Sequence, residues 1–137
     1  MVDARAVQIR LKEMDDRLKA LRSIQEKGKD EFAADRTVQA ATERHMQLAI
    51  QAAIDVALHI SAEDFSKTPD DYGSSFTLLA ESGVIGKRLA ESLVKGTKLR
   101  NLLVHAYLDI DPERMWQNLE GLSDLEEFVG LVDEYIS

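Results

Sequence analysis

The feature that most constrains this chain is the spacing of apolar residues near its N-terminus. Val7, Leu11, Met14, Leu18 and Leu21 follow one another in steps of four, three, four and three. Such steps keep one stripe of an α-helix facing a partner, whereas a half-buried strand alternates every two residues. The predicted helix covers residues 4–27 and stops at Gly28, just after Lys27. Acids and bases alternate along its outer face, as on a solvated surface. Two prolines and seven glycines in 137 residues leave little turn chemistry for a multi-stranded sheet. The length suits one domain, 1–137, long enough to bury roughly two-thirds of its unfolded surface. The fold class read from these features is all-α, a bundle of long helices.

A second helix is expected from about Asp35, a suitable N-cap, to Ser61. Ala40, Ala41, Ala49, Ala52, Ala53 and Ala57 would let neighbours approach closely, while Ile50, Ile54, Leu58 and Ile60 add bulk. This composition predicts the central helix of the bundle, contacted on several sides. Residues 62–74, with Pro69, Asp70, Asp71 and Gly73, read as a loop. Ser74 or Ser75 then caps a short helix ended by Gly83. A further helix covers about 86–108, with Gly96 as a candidate bend. Asp111 as N-cap and Pro112 at the first helical position open the last helix, which runs to about Tyr135. It is expected to bury Met115, Trp116, Leu119, Leu122, Leu125, Phe128 and Val132.

Several functional classes drop out. Without cysteine the chain offers neither disulfides nor thiolate catalysis. Met1 to Ala6 lack the apolar core of a signal peptide, and no apolar run reaches the ~18 residues of a membrane span. The expectation is a cytoplasmic protein with no membrane partner. A net charge of −8 argues against a non-specific nucleic-acid coat. The charge is uneven: residues 84–108 hold five bases against Glu91, and residues 109–137 hold nine acids against Arg114. Charge alone favours a solvated helix face for the basic stretch, although such a stretch can also receive a phosphate chain. There is no glycine-rich phosphate loop, nucleophile elbow or His-Glu-x-x-His pair. His45, His59 and His105 are far apart in sequence, so neither metal nor cofactor is called for.

The segment Arg100-Asn101-Leu102-Leu103-Val104-His105-Ala106-Tyr107 stands out. Arginine presents a planar fork of donors to phosphate, and histidine exchanges protons near neutral pH. Together they are the parts needed to cleave an RNA phosphodiester without metal. A base removes the 2′-hydroxyl proton, the 2′-oxygen attacks phosphorus, and the guanidinium stabilises the developing charge. Arg100 and His105 lie ~140° apart on a helix, whereas Asn101 and His105 share a face. A bend, the helix end near Leu108, or a second protomer across a two-fold axis would close the gap, and the composite cleft is the favoured arrangement. Spacing alone favours the blander alternative of a buried or capping histidine, with Arg100 in a surface salt bridge.

The order Arg-x4-His-x-Tyr, here Arg100, His105 and Tyr107 with Asn101 after the arginine, resembles the motif of the HEPN superfamily and is most similar to its HepT toxin branch. The likeness extends through Asp109-Ile110-Asp111-Pro112-Glu113-Arg114, through Glu43 with residues 49–55 and His59-Ile60, and through Phe76, Leu79, Ala80 and 83–85. It covers nearly the whole chain. The resemblance implies an HEPN-like antiparallel bundle of four to five helices, homodimeric, with Arg and His of two protomers in one cleft. It implies a metal-independent endoribonuclease, the toxin of a toxin–antitoxin system. Arg100 and His105 would be catalytic, and Asn101 and Tyr107 supporting. Its partner would be a minimal nucleotidyltransferase antitoxin that adenylylates Tyr107, setting anionic groups beside the arginine.

Other residues were candidates for that cleft. Glu43, Gln47, Gln51, Asp55 and His59 form a ladder at i, i+4 spacing. Part of it would line the cleft, Glu43 or Asp55 orienting His105. A plain polar network is the favoured reading for most members. Tyr72 is placed in a loop, able to stack on a base. The C-terminal acids read as a solvated face or as a contact for a basic antitoxin surface. Competing readings of the whole chain are a non-catalytic nucleotide- or partner-binding module and an inert dimeric scaffold.

Overall fold

A computed structural model describes residues 1–105 and 110–137. Ala106, Tyr107, Leu108 and Asp109 lie outside the described residues, and with them the expected helix end near Leu108 and the supporting and modification roles of Tyr107. The described chain runs α1 (Ala4–Glu26), α2 (Lys29–Ala34), α3 (Arg36–Phe65), α4 (Tyr72–Glu81), α5 (Lys87–His105), α6 (Pro112–Asn118), a 3₁₀ turn (Leu119–Gly121) and α7 (Leu122–Ile136). The four-to-five-helix bundle corresponds to α1, α3, α5 and α7, each of at least 15 residues, with the ten-residue α4. The two shorter helices, α2 and α6, flank them.

The stripe of α1 behaves as its spacing dictates, since Val7, Leu11, Met14, Leu18 and Leu21 are all buried. Asp3 caps the helix by accepting from the N–H groups of Arg5 and Ala6, which would otherwise lack partners. Gly28, at φ 96°, supplies the left-handed turn that separates α1 from α2. The sequence reading did not anticipate α2. Six residues with Phe32 as their one buried side chain are too few to display a helical period.

Asp35 caps α3 as expected, accepting from the N–H groups of Thr37 and Val38. The core of α3 is its small-residue run, with Ala49, Ala53, Ile54, Val56, Ala57 and Ile60 fully buried. This helix packs against each of α1, α2, α4, α5, α6 and α7. It continues four residues past the expected end, because Ala62 to Phe65 are compatible with a helix and the left-handed Ser66, at φ 52°, ends it. Its pairing with α1 is antiparallel: Asp3 meets His59, Arg10 meets Asp55 and Arg17 meets His45.

The cap of α4 differs from expectation. Asp71, not Ser74 or Ser75, accepts from the Ser74 N–H at 2.7 Å, so the helix opens at Tyr72 rather than after a longer loop. Ser75 is buried and donates to the Tyr72 carbonyl instead. The Ser74 N–H and hydroxyl both bond to Asp71 and hold its carboxyl below the usual range. Helix α5 runs through Gly96 without interruption. Asp111 caps α6 with Pro112 at its start, as predicted. The single last helix instead divides at the 3₁₀ turn, where Gly121 weakens helix propensity. Trp116 is half-buried, and its ring meets that of Phe32 in a tilted contact at 5.3 Å. The remaining predicted core residues of this region are buried.

Both chain ends are fastened to the end of α3. Asp64 accepts from the Val2 N–H and from the Tyr135 hydroxyl. That bond to a carboxylate pushes the Tyr135 phenol up to about 12. The neutral phenol is the form the fold favours, so its contribution is complete below pH 10 and disappears as pH rises from about 10 towards 12. An ultraviolet alkaline titration should therefore show a late-ionising phase near pH 12, and Tyr135→Phe should remove it. In the core, Phe76 and Phe128 are fully buried and meet edge to face at 5.7 Å. Phe128→Ala is expected to cost about 3–5 kcal/mol in urea unfolding. Removing the α3 cap by Asp35→Ala is expected to cost only ~1 kcal/mol.

Candidate functional site

The basic stretch and the motif arginine lie on α5, which is held between α3 and α4. Leu89, Ala90, Leu93 and Thr97 form its buried face. That rotation leaves Lys87, Lys95 and Lys98 exposed, and turns the half-buried Arg100 toward α3.

The Arg100 guanidinium is fixed on three sides. Nε donates to Gln51 Oε1 at 2.7 Å, and Nη1 donates to Asn101 Oδ1 at 3.0 Å. Its Cζ lies 5.2 Å from the centre of the Tyr72 ring, within cation–π range. Nη2 makes no hydrogen bond to another described residue. Gln51 in turn donates from Nε2 to Asp55 Oδ1 at 2.9 Å, and Asp55 Oδ2 lies 4.0 Å from Arg10 on α1. A polar line therefore runs from α1 through the edge of α3 to α5.

Tyr72 reaches this line because Gly73 allows a close approach. A Cβ at Gly73 would sit 3.3 Å from Val94 Cγ1 of α5, so a side chain there would require Val94 to give by a few tenths of an ångström. Beside Tyr72 opens a cleft of about 440 Å³, lined by Asp71, Val94, Thr97, Lys98 and Asn101 among others.

Of the residues singled out from sequence, Arg100 and Asn101 are joined by a hydrogen bond. His105 is exposed at the last described residue of α5, and shares no hydrogen bond with Arg100. The ladder on α3 forms a half-buried edge. Asp55 bonds to Gln51 and faces Arg10, while His59 Nε2 accepts from the Asp3 N–H. Glu43 lines a separate recess with Arg36, Gln39 and Ile110. Sequence reading missed that Gln51 and Tyr72 serve Arg100. Periodicity placed Gln51 on the right edge but gave no partner, and Tyr72 was assigned to a loop that is the start of α4.

The other histidines have structural surroundings. His45 is pushed down by burial and by the Arg17 guanidinium, whose Nη1 lies 3.2 Å from its Nδ1. Among the described residues no group of three or more His, Cys, Asp or Glu is placed to hold a metal ion. No described helix is long and apolar enough to cross a membrane.

The acidic C-terminal third is partly matched within the chain. Arg88 contacts Asp124 at 3.1 Å and Glu127 at 2.7 Å, Arg22 pairs with Glu126, and Lys29 with Glu113. Bonds from Ser92 and Arg88 hold the Asp124 carboxyl below the usual range.

The family model that matches, over residues 14–132, is that of HepT-like ribonucleases. An mRNA nuclease HepT of Shewanella oneidensis is 31% identical over 103 residues, which are 74% of this chain and 77% of the relative. A tRNA nuclease HepT of Aphanizomenon flos-aquae is 31% identical over 108 residues, 78% of this chain and 74% of that one. Among solved structures, the tri-AMPylated Shewanella oneidensis HEPN toxin in complex with MNT antitoxin superposes with a TM-score of 0.85 at 27% identity. The match covers 98% of this chain and 99% of that one. A match to most of the chain, and relatives above 30% identity over about three-quarters of it, lead to one conclusion: this chain belongs to the HepT-like ribonuclease family.

Proposed function

We propose that this chain is a metal-independent endoribonuclease, the toxin of a toxin–antitoxin pair, acting as a homodimer in the cytoplasm. The observation that carries the reading is the Arg100 guanidinium. It is anchored at Nε and Nη1, its Nη2 makes no hydrogen bond to another described residue, and it precedes His105 by five residues on one helix of a ribonuclease-family chain. In this reading the His105 imidazole takes the proton of a 2′-hydroxyl. The 2′-oxygen then attacks phosphorus, the P–O5′ bond breaks, and the 5′-oxygen leaves with the proton that the imidazolium gives up. Arg100 binds the phosphate and stabilises the charge on the phosphorane. Asn101 supports Arg100.

The turn of ~140° between positions 100 and 105 supports a composite cleft. Arg100 of one protomer would act with His105 of its partner across a two-fold axis. Lys95 and Lys98, exposed on the same helix, would carry the flanking RNA phosphates.

The regulator in this reading is a minimal nucleotidyltransferase antitoxin that transfers AMP from ATP to Tyr107. The description of the Shewanella oneidensis toxin, AMPylated and complexed with MNT antitoxin, supports it. Phosphates added two residues beyond His105 would repel and occlude the RNA backbone.

Purified protein is expected to cleave RNA in EDTA. Arg100→Ala and His105→Ala are each expected to lower the rate by about 100-fold or more. Equal rates in all three proteins would identify a contaminant and end the assignment. RNA or partner binding without any cleavage would favour the non-catalytic module instead. With the antitoxin and ATP, intact-mass spectrometry is expected to show added AMP and parallel loss of RNase activity. Tyr107→Phe should abolish AMP addition at that position.

A further inference from the structure

Helix α5 carries two arginines that meet acceptors from other helices, and they are treated in opposite ways. Arg88 is exposed and faces two carboxylates, Asp124 and Glu127 of α7. Its positive charge is matched within the chain. Arg100 is half-buried, yet both of its acceptors among the described residues are neutral amides, Gln51 and Asn101. The nearby carboxylate, Asp55, is one step removed, because Gln51 stands between them and accepts from one while donating to the other. On the open side Tyr72 offers a ring face, which attracts a cation without neutralising it.

Resting on the reading of Arg100 as the phosphate ligand, we propose that Gln51 and Tyr72 are positioning residues that hold its guanidinium aimed without themselves matching its charge. Two physical requirements meet here. A preorganised donor stabilises a transition state best when it need not be reoriented at the moment of reaction. A guanidinium already paired with a carboxylate has less attraction left for a phosphate. An amide acceptor satisfies the first requirement without violating the second. A carboxylate at the same place would satisfy only the first.

The decisive variant is Gln51→Glu made together with Asp55→Asn, which keeps the shape, the acceptor for Arg100 and a hydrogen bond between positions 51 and 55 but moves the negative charge onto position 51. A purely structural role predicts that a buried-edge ion pair leaves folding and activity both intact. A positioning role predicts a split. The melting temperature should be unchanged or higher, while kcat on an RNA oligomer falls about 10- to 100-fold, with a smaller change in KM. Tyr72→Leu should lower kcat by about threefold, and Tyr72→Phe should restore it because the ring face remains. Should this double variant not fold, Gln51→Ala reads the same point: loss of the Nε anchor should lower kcat several-fold. Arg100→Ala runs alongside. If it is inactive while the Gln51 and Tyr72 variants all match wild type, the positioning proposal is overturned and the nuclease reading stands. If Arg100→Ala cleaves like wild type, the nuclease reading falls and the proposal falls with it.

Discussion

The close packing of α3 against its neighbours is the constraint on which everything else rests. Ala49, Ala53, Val56 and Ala57 are fully buried, and this one helix touches the six others of the described chain. Side chains that small let helix backbones approach, and the interior then has no room for compromise, since packed cores do not deform smoothly. A rigid α3 fixes where Gln51 and Asp55 stand at its edge. It fixes the angle at which α5 crosses, and so the spot where Arg100 arrives. The chain ends are drawn to the same helix, through Asp64, Glu63 and His59. The site inherits its precision from a core that has no chemistry of its own.

How much of this was legible beforehand depended on the length over which each signal is written. The stripe of α1 and the alanine run of α3 extend over many turns, and both are buried as their patterns require. The Asp35 and Asp111 caps were legible because their chemistry is local. The Asp71 cap was not, because three candidate cap residues crowd positions 71–75 and only the loop geometry chooses among them. Helix α2 and the break at Gly121 are too short to outweigh a longer pattern.

The site divides in the same way. Arg100 and His105 stand out through residue type and order, and their roles are a proposal, while the family resemblance drawn from them agrees with the family match. Tyr107 falls outside the described residues. Gln51 was visible as a member of a polar ladder, but a ladder does not say which rung meets a cation 49 residues away. Tyr72 is further removed still. Its position depends on a glycine thin enough to let α4 lie against α5, and that is a tertiary fact with no periodicity behind it.

A net charge of −8 is ill-suited to a polyanionic substrate until its placement is considered. Arg88, Arg22 and Lys29 each reach an acid of the last two helices, so part of the negative surface is already met from within. Screening confines what remains to about 10 Å at ordinary ionic strength. An RNA phosphate at α5 would therefore respond mainly to the charges nearest it, Lys95, Lys98 and Arg100, and much less to the distant total. In the proposed site, local charge and the choice of amide over carboxylate at Arg100 would decide what this surface can hold. The overall charge governs how the rest of the molecule keeps to itself in solution.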